Sequence, residues 1–545
     1  MHCRRIAFLM FVLGMLVMAS GATFAADGQK DLDQATELQL SAESLGDLEK
    51  VADLCESAIK KGLSKDDEAF AQQLMSSALL RRAERFAGEI ISRQGANPRW
   101  PQLREAALKD LQRLLKYDDA NPEAQLLVAK LNTLPEGNRD AARKAIDRAI
   151  DLLADDKEKL SGAYILRARM LNDPKQQLAD LDKAIEASPS NTEAWETRAL
   201  LYVARGELDK AVEDFNKLLE SDATNLAVRL AIVEALVNMQ KFDDAQKHID
   251  RAIEQEPNQA VTYALRARVR IGQDKPQEAL DDLNEAVRLQ PGNPATLLLR
   301  AGLRHDLDDL KGAKEDLNQV LQAAPGARQA LLLRSMISAE EGKMVDAIAD
   351  IESLLKLDPK NVELRMQLAV YYAADERPRR AIEVLDAVIK DEPENWLALR
   401  SRGDTLLSVG KHAKAVEDYE RALKLKDDDS GLLNNLAWVM ATSPDDDVRN
   451  GKQAIELATR ACEVTDFKRP HILSTLASAY AEAGDFDKAK EWSKKAVELG
   501  KEQGNEQIDQ LQKELESYEQ GKPWRERQEV QEKPAPLKSS GALET

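Results

Sequence analysis

Six arginines stand in a fixed relation to an aspartate. Arg198, Arg266, Arg300, Arg334 and Arg402 are followed sixteen residues later by Asp214, Asp282, Asp316, Asp350 and Asp418, and Arg167 is followed by Asp180, thirteen residues on. Where the arginine gives way to Ile232, Leu368 or Leu476, the partner position holds His248, Val384 or Trp492. Both charges are present together or both are missing. A guanidinium offers a carboxylate two parallel N–H donors, and a pair closed inside a protein must keep both members, because deleting one strands a buried charge. A second reading is a ladder of arginines for an acidic ligand. Matched aspartates would neutralise such a ladder, which favours the structural ion pair.

Other reactive side chains are scattered. The histidines are His2, His248, His305, His412 and His471, and no two share a metal-ligand spacing. Cys55 and Cys462 lie far apart and Cys3 precedes the apolar run of the leader, so neither a disulfide framework nor a thiolate metal cluster is available. Phosphate-binding glycine loops, nucleophile elbows and zinc-protease motifs are missing. Asp308-Asp309 and Asp427-Asp428-Asp429 lack the alternation of a calcium loop and read as solvated turns. The expectation is a chain with no catalytic, cofactor-binding or metal-ligating residues. A formal charge of -19, from 96 acids against 77 bases, also argues against nucleic acid and anionic lipid as partners.

The elements that carry these residues follow from periodicity. Aromatic residues make up only 4% of the 545, which suits helices better than a β-sandwich. From Ala211 an alanine returns every 34 residues, at Ala245, Ala279, Ala313, Ala347, Ala381 and Ala415. Such a period marks stacked supersecondary units. Pro189, Pro257, Pro291, Pro325, Pro359 and Pro393 keep the same beat and mark seams where a helix has ended. Asn191, Asn225, Asn293, Asn361 and Asn395 follow the seams as helix caps. Gly206, Gly342, Gly410 and Gly484 fall mid-repeat, where a left-handed residue turns the chain. Each unit is helix, turn, helix, with Ala199, Ala267, Ala301, Ala369 and Gly403 on the first helix facing Ala211, Ala279, Ala313, Ala381 and Ala415 on the second.

With Trp195, Ala199, Tyr202, Gly206, Ala211 and Phe215 in phase, and again Ile232, Ala245, Ala252 and Pro257, the sequence resembles the tetratricopeptide-repeat family. The resemblance implies an all-α, right-handed α-solenoid whose first helices line a concave groove for extended or helical peptides. One row on that face runs Glu196, Leu230, Ala264, Leu298, Leu332, Met366 and Arg400; a neighbouring row includes Leu265, Leu299 and Leu333, and Met336 and Val370 extend it. This strip suits partners with apolar side chains, or else part of it is buried between adjacent helices. A family variant clamps a partner's C-terminal carboxylate with a Lys and an Asn. The nearest match here has Arg400 and Asp404, then Asn435, and Asp404 would repel a carboxylate.

Outside the repeats, residues 1–26 have the form of an export signal, with Arg4 and Arg5, an apolar run from Ile6 to Ala19 and a small-residue end at Ala25. An uncleaved inner-membrane anchor is the alternative. Residues 27–100 read as a helical cap, on the spacing of Leu48, Val51, Leu54, Cys55, Phe70 and Leu74, or as an independent binding module. Residues 101–157 carry degenerate repeats, 158–429 the core repeats, 430–520 further repeats with one insertion near Pro444–Asp447, and 521–545 a disordered tail. The functional expectation is a non-enzymatic scaffold or adaptor of the periplasm or envelope that binds proteins or peptides, with no cofactor and no lipid insertion once the signal is removed. The alternatives are a regulatory or enzymatic site within residues 27–100, or a purely structural solenoid that self-associates. The small-residue register generates a first test: Ala313→Leu should cost about 1–3 kcal/mol by overpacking, read from urea denaturation followed by circular dichroism.

Overall fold

The computed structural model describes residues 28–91, 98–526 and Lys533, with 27 α-helices, one 3-10 turn and no strand among them. The expected signal or anchor over residues 1–26 lies outside the described residues, as does the tail beyond Glu526 apart from Lys533. Two compact units divide the chain, residues 1–257 and 258–545. Each is an α-solenoid of consecutive helix pairs.

The local rules act in both units. Side chains of Asn191, Asn225, Asn293, Asn361 and Asn395 accept the amides of Glu193, Val228, Thr296, Leu364 and Ala398 at 2.9–3.1 Å, satisfying donors that a helix start leaves open. The mid-repeat glycines take φ of 71–83°. Gln240, Asp274, Asp308 and Glu376 occupy the same turn in other repeats at φ of 57–62°, so the left-handed bend is imposed by helix packing even where no glycine eases it. Seam carbonyls are also used: Trp195 Nε1 donates to Pro189 O, Arg229 Nη2 to Ala223 O and Arg365 Nε to Pro359 O at 2.6–2.9 Å. Ala199, Ala267, Ala301, Ala211, Ala279, Ala313 and Ala415 are all fully buried, which lets the paired helices approach closely.

In the first unit, helix pairs begin at once with Gln29–Ser41 and Leu45–Lys61, then Lys65–Ile91 and Trp100–Leu115. Leu48, Cys55, Met75 and Leu79 share one core with Leu111, Leu114 and Leu131, so packing is continuous across the boundary drawn at residue 100. The degenerate repeats comprise Pro122–Asn132 with Arg139–Leu152, preceded by Trp100–Leu115, whose packing partner Lys65–Ile91 belongs to the cap. Core repeats follow as Lys157–Met170 with Pro174–Ala187, Thr192–Ala204 with Leu208–Ser221, and Leu226–Asn238 with Phe242–Gln255.

In the second unit, seven pairs run from Ala260–Gly272 with Pro276–Leu289 to Pro470–Glu482 with Phe486–Glu502, and Ile508–Glu519 closes the stack. The insertion lies in the turn between Ser430–Thr442 and Gly451–Val464. That turn spans residues 443–450 and contains the 3-10 turn Asp446–Val448, whereas the preceding repeat turns over residues 409–411. Residues 521–526, assigned to the disordered tail on composition, are instead packed: Trp524 lies against the cluster of Ala477, Ala481, Ala489 and Tyr518. The aromatic anchor overrides the Pro- and charge-rich context that suggested disorder. Gly403 is a second case of fine fit, since a Cβ there would stand 2.6 Å from the Tyr419 ring, which is itself fixed by its hydroxyl donating to Asp404 at 2.6 Å. Gly403→Ala should therefore lower stability by about 1–3 kcal/mol, and Tyr419→Leu in the same chain should recover part of that loss in a denaturation titration.

Candidate functional site

The structure brings each arginine of the sequence rule onto its aspartate. Nε and Nη2 of Arg198 donate to the two Asp214 oxygens at 2.8 and 2.7 Å, and the same two-point contact joins Arg167 to Asp180, Arg300 to Asp316, Arg334 to Asp350 and Arg402 to Asp418 at 2.6–2.9 Å. Arg266 holds Asp282 at 2.6 Å. These aspartates are buried, Asp316 being only 1% exposed. Hydrogen bonding to Asp180, Asp214, Asp350 and Asp418 holds the Arg167, Arg198, Arg334 and Arg402 guanidinia above their ordinary pKa. In two repeats a second guanidinium joins, Arg270 on Asp282 at 2.7 Å and Arg304 on Asp316 at 2.9 Å.

A further arm was not visible in the sequence. The free Nη1 of Arg198, Arg300, Arg334 and Arg402 reaches back sixteen residues to Asp182, Asn284, Asn318 and Asp386, and that of Arg167 to Asp147, at 2.6–3.0 Å. Each such arginine thus ties the two helices of its own repeat to the second helix of the repeat before. In the repeat that carries Leu368 in place of the arginine, the Tyr372 hydroxyl makes the backward bond to Glu352 at 2.6 Å. Acceptor chemistry is kept at this position while residue identity drifts among Asp, Asn and Glu.

The apolar rows divide. Leu265 is 4% exposed and belongs to the core, because it faces the adjacent helices and not the groove, so it is withdrawn from the ligand-facing set. Leu230 in the first unit, and Leu298, Leu299, Leu332, Leu333 and Met366 in the second, are half-buried; those of the second unit lie against core clusters. Met336 and Val370 stand out at 40% and 54% exposed. Sequence spacing alone could not separate these cases. Val261, Ile271 and Leu397, at 54%, 39% and 46%, are exposed apolar side chains on first helices of the same unit that the row assignment missed. Trp438 lies in register with Val370, two 34-residue steps on.

Around Trp438 the first-helix positions are already engaged. Its Nε1 donates to the Glu526 carboxylate, Glu526 N donates to Thr442 O at 3.0 Å, and Arg525 pairs with Glu482 at 2.6 Å. Asp404 accepts from Tyr419 and from Asn435 at 2.8 Å, while Arg400 pairs with Asp429, so the residues nearest to a carboxylate clamp are committed to one another.

Nothing in the described residues gathers three or more His, Cys, Asp or Glu side chains in a metal-binding group, and no described helix is long and apolar enough to cross a membrane. Cys55 and Cys462 are buried free thiols, and burial pushes both up to about 12, far from a reactive thiolate.

Family models described as tetratricopeptide repeat match residues 168–225, 202–269, 303–362, 366–430 and 470–501. No curated protein matches the sequence. Among solved structures, the chain is similar to a tetratricopeptide repeat protein from Parabacteroides merdae (17% identity, 46% of this chain and 98% of that one, TM-score 0.33). It is also similar to PilF of Pseudomonas aeruginosa (22%, 39% and 96%, 0.31) and to YrrB, titled a tetratricopeptide protein with an unusual peptide-binding site (22%, 35% and 98%, 0.31).

The clamp geometry yields a test. Asp316 keeps Arg304 when Arg300 is removed, whereas among the described residues Arg334 alone of the arginines pairs with Asp350. Arg334→Ala should cost about 3 kcal/mol, the low end for a broken buried pair. In a double-mutant cycle with Asp350→Ala the loss should fall short of the sum by about 0.5–3 kcal/mol; additive losses would refute the clamp. Arg300→Ala should cost less than Arg334→Ala.

Proposed function

Because the chain is a tetratricopeptide-repeat protein, and so a protein-interaction scaffold, we propose that it binds segments of partner proteins along the first-helix face of its second unit, without chemistry of its own, and that it does so in the cell envelope. The observation that carries the binding reading is the exposed pair Met336 and Val370 beside half-buried Leu298, Leu332 and Met366. Large apolar side chains left in water on consecutive repeats gain free energy only when a partner covers them. Methionine among leucines supplies a surface that adapts to different apolar side chains. The envelope reading is supported by the charged, apolar and small-residue succession in residues 1–26. The acidic balance of the chain favours partners that are proteins over nucleic acid.

The experiment is crosslinking capture from the native envelope fraction, comparing the parent chain with Met336→Asp/Val370→Asp. Both side chains are exposed, so the variant should keep the parent's circular dichroism and melting profile. A defined set of proteins captured by the parent should fall about tenfold in the variant, the effect of losing about 1.4 kcal/mol of contact. Equal capture by both chains would place binding on another surface.

A further inference from the structure

The chain beyond its last helix returns onto the first helices of the repeats it has just left. Ile508–Glu519 first closes the end of the stack, with Tyr518 and Ser478 hydroxyls 2.8 Å apart and the Glu514 carboxylate accepting from Ser474. Gly521, at φ 69°, then turns the backbone, and residues 522–526 continue without helix or strand. Three successive side chains make three different contacts. Trp524 packs on Ala477, Ala481 and Tyr518. Arg525 pairs with Glu482, which also holds Arg449 at 3.0 Å, and its Nη1 donates to Ala441 O at 3.3 Å. The Glu526 carboxylate accepts from Trp438 Nε1 while its amide meets Thr442 O. Further along, Lys533 N donates to Glu376 O at 3.0 Å and Lys533 Nζ lies 3.3 Å from Glu376 Oε2. Six residues separate Glu526 from Lys533, a reach of at most about 25 Å, so the chain is held at one point on the repeat that begins at Ser430 and again on the repeat that begins at Val362.

These contacts have the character of ligand recognition. An aromatic anchor, a charge-assisted pair and an acceptor for an indole N–H are what a binding surface uses to read a short peptide. The indole of Trp438 lies in register with Val370 and Met336, with Asp404 at the step between. Resting on the groove-binding reading above, we propose that the first-helix face of the last repeats is a recognition site for an aromatic–arginine–acid segment, filled in cis by Trp524-Arg525-Glu526, and that an external partner with the same chemistry must displace this segment to bind. The chain's own end is therefore a competitor built into the site. Its local concentration is fixed by a short tether, so it lowers the apparent affinity for any external segment by the fraction of time it leaves the site free.

The test uses the full chain and a fluorescein-labelled synthetic peptide of residues 521–545, followed by anisotropy. Trp524→Ala/Arg525→Glu in the full chain releases the internal segment and should bind the peptide about tenfold more tightly than the parent, as expected if the site is open about a tenth of the time in the parent. Adding Glu482→Gln to the released chain, or Arg525→Glu in the peptide, should abolish that gain. As an independent reading, trypsin should cut after Arg525 more slowly in the parent than in a Glu482→Gln chain, whose circular dichroism reports whether the repeats remain folded. A released chain that fails to bind the peptide, or binds it equally with and without Glu482, overturns the proposal. If Met336→Asp/Val370→Asp still loses captured partners in that event, groove binding stands and only the internal ligand falls.

Discussion

A guanidinium cannot be taken out of water unless every charge and donor it carries is answered, and that constraint organises this protein. An arginine on the first helix meets a buried aspartate on the second helix of its own repeat with two bonds, and in most cases a third bond goes to the second helix of the repeat before. The three bonds fix three helices relative to one another. Hydrophobic packing of alanines permits a close approach but is tolerant of small sliding; a fork-shaped donor set is not. Register between repeats is therefore specified by polar geometry inside an apolar seam. At Leu368, where the arginine is lost, the backward contact survives through Tyr372 and Glu352.

Much of this was legible in the sequence, and for a physical reason. A buried ion pair must be complete or absent, so Arg300 with Asp316 and Leu368 with Val384 co-vary inside one chain as they would across a family. Prolines, asparagines and alanines in a 34-residue beat likewise mark seams, caps and contacts, because each solves a backbone or packing problem that recurs once per repeat. The backward arm was not legible, since Asp182, Asn284, Asn318 and Asp386 share an acceptor oxygen and not an identity. A pattern search over residue types passes over a position defined only by its lone pairs.

The candidate surface was legible in part. Leu298, Leu332, Met336, Met366 and Val370 share a register that faces away from the paired helix, and the structure leaves Met336 and Val370 open. Leu265 stands in the neighbouring row and is buried, whereas Leu299 and Leu333 at the same helix position are half-buried, so burial there depends on the neighbours of each repeat and not on spacing. Trp524 was hidden by its surroundings: a single aromatic among prolines and charges carries little weight in composition, yet one indole seated against Tyr518 fixes the segment around it. The two units divide these features, with the open strip and the returning segment both in the second.

The repeat that carries Leu368 also bears mechanically on the chain. At the seams where an arginine reaches back, pulling two repeats apart must break a guanidinium's bonds to both sides. At the seam before this repeat, the backward tie is a neutral hydroxyl on Glu352. Under tension the second unit has a weaker rung at this seam, and a stretched chain yields there before it yields at the arginine-clamped joints.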